Sequence, residues 1–297
     1  MDTAVYFAND EIQIVTGSQK GDHLTIKKAT TVKLQEGVLI NGVITDPDAM
    51  EKVLWQLKKD KQFEGNVRIV IDSANIITKR CVVPFMDKGK LLKFTQDEFS
   101  NLGDTYQELI YDYTVIQQRN GGEGSGTILC CAVERSLLDR YITIFQRIGV
   151  KIQKIDIALN CFLKVLSKIP ALRNRTYIYS IVDGNNIISA LFVNNSYVFS
   201  TRNKILDQRG TQDFVNEILS KLSTLIQFNK SEQNHQDIEV AYFSGLEPNE
   251  MTLCNSLASG LRIAISGIPH NQLIVGLENR GFDLSHYMFA CGCLLDR

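Results

Sequence analysis

The sequence predicts a duplicated α/β architecture, with a further α/β piece inserted in its first half. Three observations predict it. Each half opens on strands joined by a short polar turn and then alternates helices with strands. No segment repeats with a period of 20–50 residues, which sets a solenoid aside. The 297 residues, 44% hydrophobic and 22% charged, suit two globular domains or one large one with an insertion.

In the first half, Ala4–Phe7 and Glu11–Thr16 read as strands around the polar turn Ala8-Asn9-Asp10, and His23–Leu34 continues the extended pattern. Asp46-Pro47-Asp48 opens the first helix. Asp46 caps free amides, Pro47 suits the first helical position and Asp48 complements the dipole. Met50, Val53, Leu54 and Leu57 mark its apolar face. Val67–Ile71 and Ile76–Val83 are strands, Leu91–Asn101 a helix, and Leu109–Gln117 and Thr127–Val133 strands around the glycine-rich loop Gly121–Gly126. Arg135–Ile148 is an amphipathic helix stopped by Gly149; Val150–Ile157 is a strand and Leu159–Ser167 a helix.

The second half follows the polar link Arg173-Asn174-Arg175. Tyr177–Val182, Ile187–Val193 and Tyr197–Thr201 read as strands, the last two joined by a turn at Asn194-Asn195-Ser196. Thr211 caps a long helix carrying Phe214, Ile218, Leu222, Leu225 and Ile226. Glu239–Phe243 is a strand, and Asn249–Leu261 and Ser285–Leu295 are helices.

Composition removes several function classes. Lys plus Arg is 32 against 33 Asp plus Glu, a net charge of −1, which argues against a dedicated nucleic-acid binder. No stretch of 18 apolar residues or secretory leader is present, so a cytosolic globular protein without direct membrane insertion is expected. The seven cysteines are odd in number and sit mostly in apolar runs, as reduced core residues do. The four histidines are scattered without a second ligand at helical spacing, and no metal site is expected. Walker, HExxH and GxSxG patterns are missing from the sequence.

Four blocks, taken in order, carry a resemblance. Glu36–Pro47 (EGVLINGVITDP), Ile76–Pro84 (IITKRCVVP), Ala132–Leu166 and Phe214–Glu232 resemble the PilM family of type IV pilus assembly proteins, actin-like relatives of the cell-division protein FtsA. The resemblance runs from Ala4 to the terminal helix. It implies an actin-like (ribonuclease H-like) two-lobe α/β fold. On that template residues 1–80 with a terminal helix at 285–297 form the first lobe. Residues 81–155 form the inserted subdomain, 156–175 a connecting helix and link, and 176–284 the second lobe.

In that family fold ATP lies between the lobes, and hairpins carrying Asp-x-Gly cradle its phosphates. Here Tyr6 stands at the metal-side Asp position, Ala8 at the Gly position, and Asp10 and Glu11 where small hydroxyl residues face phosphate. Two carboxylates about 5 Å apart repel by roughly 3 kcal/mol at an effective dielectric near 20, so the turn is built against a polyphosphate. The second hairpin reads Ile181-Val182-Asp183-Gly184-Asn185-Asn186, an ordinary Asp-Gly-Asn turn. The third element keeps Ser244 and Gly245 but continues Leu246-Glu247-Pro248. No ATP or magnesium cofactor and no catalysis are expected. Asp183, Gly184, Asn185, Ser244 and Gly245 are the residual pocket if a nucleotide binds. The alternatives are an actin-like ATPase with an altered pocket around Asp183, Asn185 and Ser244, or an FtsA-like filament former. The chain ends Leu294-Leu295-Asp296-Arg297, without the detached amphipathic tail FtsA-like proteins use on membranes.

The resemblance implies a bacterial cytoplasmic scaffold, held at the inner face of the cell membrane through its partners. Those partners are other pilus assembly proteins and the N-terminal peptide of a PilN-like inner-membrane protein, docked near the inserted subdomain. Lys79, Arg80, Val82 and Val83 alternate charge with apolar surface and are the candidate partner contacts; an ordinary buried strand with a charged outer face fits them equally. Lys27-Lys28 and Lys58-Lys59 read as solvated faces.

Overall fold

A run of residues buried on both faces marks the first strand, β1 (Asp2–Phe7), in which Ala4, Val5, Tyr6 and Phe7 are all inaccessible. In the computed structural model, which describes residues 1–84, 86–102, 108–117, 126–231, 236–247, 250, 254–276 and 282–296, β1 pairs antiparallel with β2 (Glu11–Lys20). That strand pairs antiparallel with β3 (His23–Lys33). A small ribbon, β4 (Leu39–Ile40) and β5 (Val43–Ile44), turns through Asn41 and Gly42, both at positive φ. Gly42 is required twice over, because a Cβ there would meet the Asp72 carbonyl oxygen at 2.1 Å.

The first helix, α1 (Pro47–Lys59), begins as its sequence dictates. The Asp46 carboxylate accepts the Ala49 N–H at 2.9 Å, and Lys58 and Lys59 fall in the last turn. Strand β6 (Asn66–Ile71) then lies parallel to β1.

Next come β7 (Ile77–Val83), α2 (Lys88–Glu98), β8 (Leu109–Gln117) and β9 (Gly126–Glu134). They form a three-stranded antiparallel sheet in the order β7-β9-β8, with α2 over one face. Directly opposed residues share a face. Cys81, Val83, Ile128, Cys130, Tyr111 and Tyr113 therefore face the helix, and Arg80, Val82, Leu129, Cys131, Asp112 and Thr114 face away from it.

Helix α3 (Arg135–Arg147) and strand β10 (Ile152–Ile157) belong with the larger body. The sequence reading placed both in an inserted piece at 81–155, whereas the sheet with α2 spans 77–134. The apolar stripe of α3 (Leu137, Tyr141, Ile144, Phe145) is buried in one core with Phe7, Met50 and Leu54, and β10 pairs parallel with β6. The Tyr141 hydroxyl donates to the Gly42 carbonyl at 2.8 Å. Helix α4 (Ala158–Ser167) follows.

By its internal packing the chain divides into two units. One comprises Met1–Val165, Val275–Phe282 and Phe289–Arg297, the other Leu166–Ile274 and Asp283–Met288. In the second unit β11 (Tyr177–Asp183), β12 (Asn186–Val193) and β13 (Ser196–Lys204) form an antiparallel meander. Asn194 and Asn195, both at positive φ, make its second turn. Helix α5 (Gln212–Ser231) buries Phe214, Ile218, Leu222 and Leu225 against that sheet. Strand β14 (Val240–Ser244) lies parallel to β11, and after α6 (Cys254–Leu261) β15 (Ala264–Gly267) lies parallel to β14. The sheet order is β13-β12-β11-β14-β15.

Strand β16 (Ile274–Gly276) joins the edge of the first sheet, whose order is β10-β6-β1-β2-β3-β16. The last helix, α7 (Met288–Leu294), is shorter than the 285–297 read from the sequence, because Ser285 turns back to bond the Asp283 carboxylate from its N–H and its hydroxyl. Strands β15 and β16 are too short to show alternation and escaped the sequence reading. Residues 121–125, Pro248 and Asn249 lie outside the described residues.

Candidate functional site

Two strands of the first unit end their sheets. β8 is outermost in the three-stranded sheet and β10 is outermost in the six-stranded one. Between them lies a groove of about 330 Å³. Its walls are Ile110, Asp112 and Thr114 from β8, Leu129, Cys131 and Val133 from β9, and Lys154–Ile157 along β10, with α4 below.

Asp156 is the buried charge of the floor. Its carboxylate lies 2.8 Å from Lys164 Nζ and 3.3 Å from Lys154 Nζ, and Oδ1 accepts from Asn160 Nδ2 at 2.7 Å and the Ile157 N–H at 2.9 Å. Burial works against its ionisation, but the two ammonium groups and the Asn160 bond outweigh it and hold the acid below its ordinary range. Burial, and then the charges of Asp112 and Asp156, push the Cys131 thiol up to about 12, so it serves as apolar wall. Asp296 is paired with Arg68 at 3.0 Å. Asp112 is exposed, accepts the Tyr113 N–H at 2.8 Å, and has no cationic partner among the described residues. Apolar walls over a floor of internally paired charges suit recognition of a partner's side chains.

The four candidate contacts read from the sequence all lie on β7, the opposite edge of that small sheet, and the structure divides them between its faces. Lys79 pairs with Glu98 of α2, and Val83 is buried beneath α2. Arg80 and Val82 lie on the groove face, Arg80 directly across from Leu129. Val82 is 60% exposed. None of the four lines the groove itself. The groove residues escaped the sequence reading because they come together only through the pairing of β10 with β6.

The residual pocket residues meet at the ends of β11 and β14. Asp183 closes β11 and Gly184 and Asn185 make the turn, with Gly184 at φ +55°. Ile181 pairs with Ser244. The Ser244 hydroxyl is buried and bonded to the Tyr179 hydroxyl at 2.5 Å. Gly245 sits at φ +76°, and a Cβ on it would meet the Val182 carbonyl oxygen at 1.9 Å. A buried ion pair locks this turn. Arg209 donates through Nε and Nη2 to the two Glu250 oxygens, at 2.9 and 2.5 Å, and through Nη2 to the Gly245 carbonyl at 2.8 Å. Glu250 Oε2 also accepts the Glu247 N–H at 2.8 Å. Burial opposes the Glu250 charge, but the Arg209 and Glu247 bonds hold its pKa below the ordinary value. A carboxylate here already occupies the donors that an anion would use.

The β1–β2 turn is closed in the same manner. Tyr6 is buried against Phe289, with ring centres 4.7 Å apart. Asp10 and Glu11 share Lys33, at 3.0 and 2.8 Å. The Glu11 hydrogen bond foremost raises Lys33 to about 12. Lys33 answers the repulsion read from the sequence, and its role was hidden because it lies on the next strand. Among the described residues no helix is long and apolar enough to cross a membrane.

No protein-family model matches the sequence, and no curated protein does. Solved structures do resemble it. The PilM–PilN type IV pilus biogenesis complex contains a chain that superposes with a TM-score of 0.80 at 12% identity, covering 99% of this chain and 96% of that one. A Bacteroides thetaiotaomicron protein with an actin-like ATPase fold and unknown function superposes with a TM-score of 0.52 at 10% identity, covering 90% of each chain. The chain therefore has an α/β, actin-like ATPase fold of the PilM-like kind.

Proposed function

We propose that this protein is a non-catalytic scaffold of type IV pilus assembly. It binds the N-terminal cytosolic peptide of a PilN-like inner-membrane protein in the groove between β8–β9 and β10–α4. The observation that carries the reading is the groove itself, an apolar-walled cleft between two outermost strands in a chain whose structural neighbour is a PilM–PilN complex. The scaffold works in the cytoplasm and reaches the membrane through its partners. It needs no nucleotide. The Arg209–Glu250 lock and the Lys33–Asp10–Glu11 cluster support that part, since both fill polar turns with internal ion pairs.

The test is direct binding. Labelled synthetic peptides are made for the N-terminal cytosolic segments of PilN-like membrane proteins from the same genome and titrated with the purified full chain by fluorescence anisotropy. Saturable binding by one of them, competed by its unlabelled form, is the expected result. A flat titration for every such peptide overturns the reading.

A further inference from the structure

We infer that the outer side of α1 is a contact between two copies of this chain, packed antiparallel about a two-fold axis through Asp48, Lys52, Trp55 and Lys59.

The first support is where these residues lie. All four are exposed, Trp55 at 49%. Their spacing of four, three and four sets them within an arc of about 60° on the helix, in a row about 17 Å long. Residues so spaced form the seam of two packed helices. The buried Met50, Leu54 and Leu57 fill the opposite side of α1. A cavity of about 590 Å³ lies along the row, lined by Asp48, Glu51, Lys52, Trp55 and Gln56. Among the described residues α1 supplies every one of its walls, so its outer side is left to a second molecule.

The second support is charge. The groups beside the row are spent internally. Glu51 meets Arg147 at 3.4 Å, and Gln56 Nε2 donates to Asp60 Oδ1 at 2.9 Å. Asp48 and Lys52 have no ion-pair partner among the described residues, and Lys59 Nζ stands 4.0 Å from the Trp55 ring centre. The row therefore reads acid, base, aromatic, base. Turned end for end by a two-fold axis, it meets itself in four complementary contacts. Asp48 faces Lys59 of the second copy, Lys52 faces its Trp55, and the same two contacts recur in return. A parallel alignment would set Asp48 against Asp48 and each lysine against its own copy, which repel. The order of the row thus selects both the occupant, a second copy, and its direction. A single pair of short helices falls below the about 1,200 Å² of a stable complex, so the dimer is weak and depends on concentration.

The experiment is sedimentation velocity of the full chain from micromolar to millimolar concentration, which is expected to show a monomer–dimer equilibrium. Trp55 is the single tryptophan of the chain, so its emission is expected to move to shorter wavelength as the dimer fills. Asp48→Lys and Lys59→Asp each set like charges together at both ends of the row and are expected to weaken the dimer at least tenfold. In an equimolar mixture of the two variants both ends are complementary again, and a heterodimer of near wild-type affinity is expected. Both substitutions oppose the helix dipole, so damage to α1 alone would leave the mixture as weak as its parts. A monomer at every concentration overturns the proposal and leaves the peptide reading in place. A dimer that ignores Asp48→Lys, leaves the Trp55 emission unmoved or is not regained in the mixture puts the contact elsewhere and overturns it as well.

Discussion

Glu250 is buried with its carboxylate in the guanidinium fork of Arg209, the two N–O distances being 2.9 and 2.5 Å. A bidentate pair of this kind fixes both direction and distance. Through Nη2 it also holds the carbonyl of Gly245, a residue whose left-handed backbone and contact with Val182 admit no side chain. Removing one partner leaves the other charged and partly desolvated, which costs about 2–4 kcal/mol. Glu250→Ala is expected to lower the urea midpoint of the second unit accordingly. Glu250→Gln, which keeps the shape and one acceptor, is expected to cost less. Equal midpoints for wild type and Glu250→Ala would remove the lock.

The acid limb of stability follows from two carboxylates. Asp156 and Glu250 both have pKa values below their ordinary ones in the folded chain. A depressed folded pKa gives stability that is fully present above the unfolded pKa, near 4 for carboxylates, and is lost as pH falls through the folded value. The midpoint of urea unfolding should therefore hold from neutral pH down to about 4 and fall below it. Asp156→Asn is expected to lower the plateau, because Lys154 and Lys164 lose their counter-charge, and to make the acid fall shallower. An unchanged slope in that variant would show that Asp156 does not drive the acid limb.

Millimolar ATP with magnesium should raise Tm by less than a degree or so. A ligand at 100 times its Kd adds about 2.7 kcal/mol, which amounts to several degrees in a chain of this size. The physical reason is that Asp10 and Glu11 share one cation, Lys33, which leaves the turn negative, and Glu250 already takes the donors beside Gly245. A clear upward shift would restore the residual pocket of Asp183, Gly184, Asn185, Ser244 and Gly245 as a nucleotide site.

The sequence carried the parts that local chemistry decides. Asp46 and Pro47 mark the start of α1, Asn194 and Asn195 mark a tight turn, and the continuous apolar runs mark the strands buried on both faces. It did not carry the choice of core. The stripe on α3 says that one face is buried, but only packing decides that it joins Phe7 and Met50, in a core that also takes Cys131 and Val133 from the face of the small sheet turned away from α2. Long-range polar partners were hidden for the same reason. Lys33 meets Glu11 across a strand pair, and Arg209 meets Glu250 across a helix and a strand. On β7, period-two alternation sends Lys79 and Arg80 to opposite faces, so a contact set drawn from consecutive residues was bound to be split.

That split gives the last prediction. Thr114 lines the groove from β8, where a bulky side chain has room only within the cleft. Thr114→Trp is expected to fill it and weaken peptide capture at least tenfold with little change in Tm, since an aromatic residue suits a strand. Arg80 shares the groove face beside Leu129 but lies two strands, roughly 10 Å, from the β8 wall that carries Thr114 and Asp112, a distance at which salt screens most of its charge toward that wall. Arg80→Glu is therefore expected to alter capture severalfold at most. Lys79 faces α2 and Glu98, so Lys79→Glu should leave capture unchanged and lower Tm slightly by setting two carboxylates together. Anisotropy titrations of the three variants rank the two edges of the small sheet. A large loss for Arg80→Glu or Lys79→Glu, with none for Thr114→Trp, would move the partner to β7.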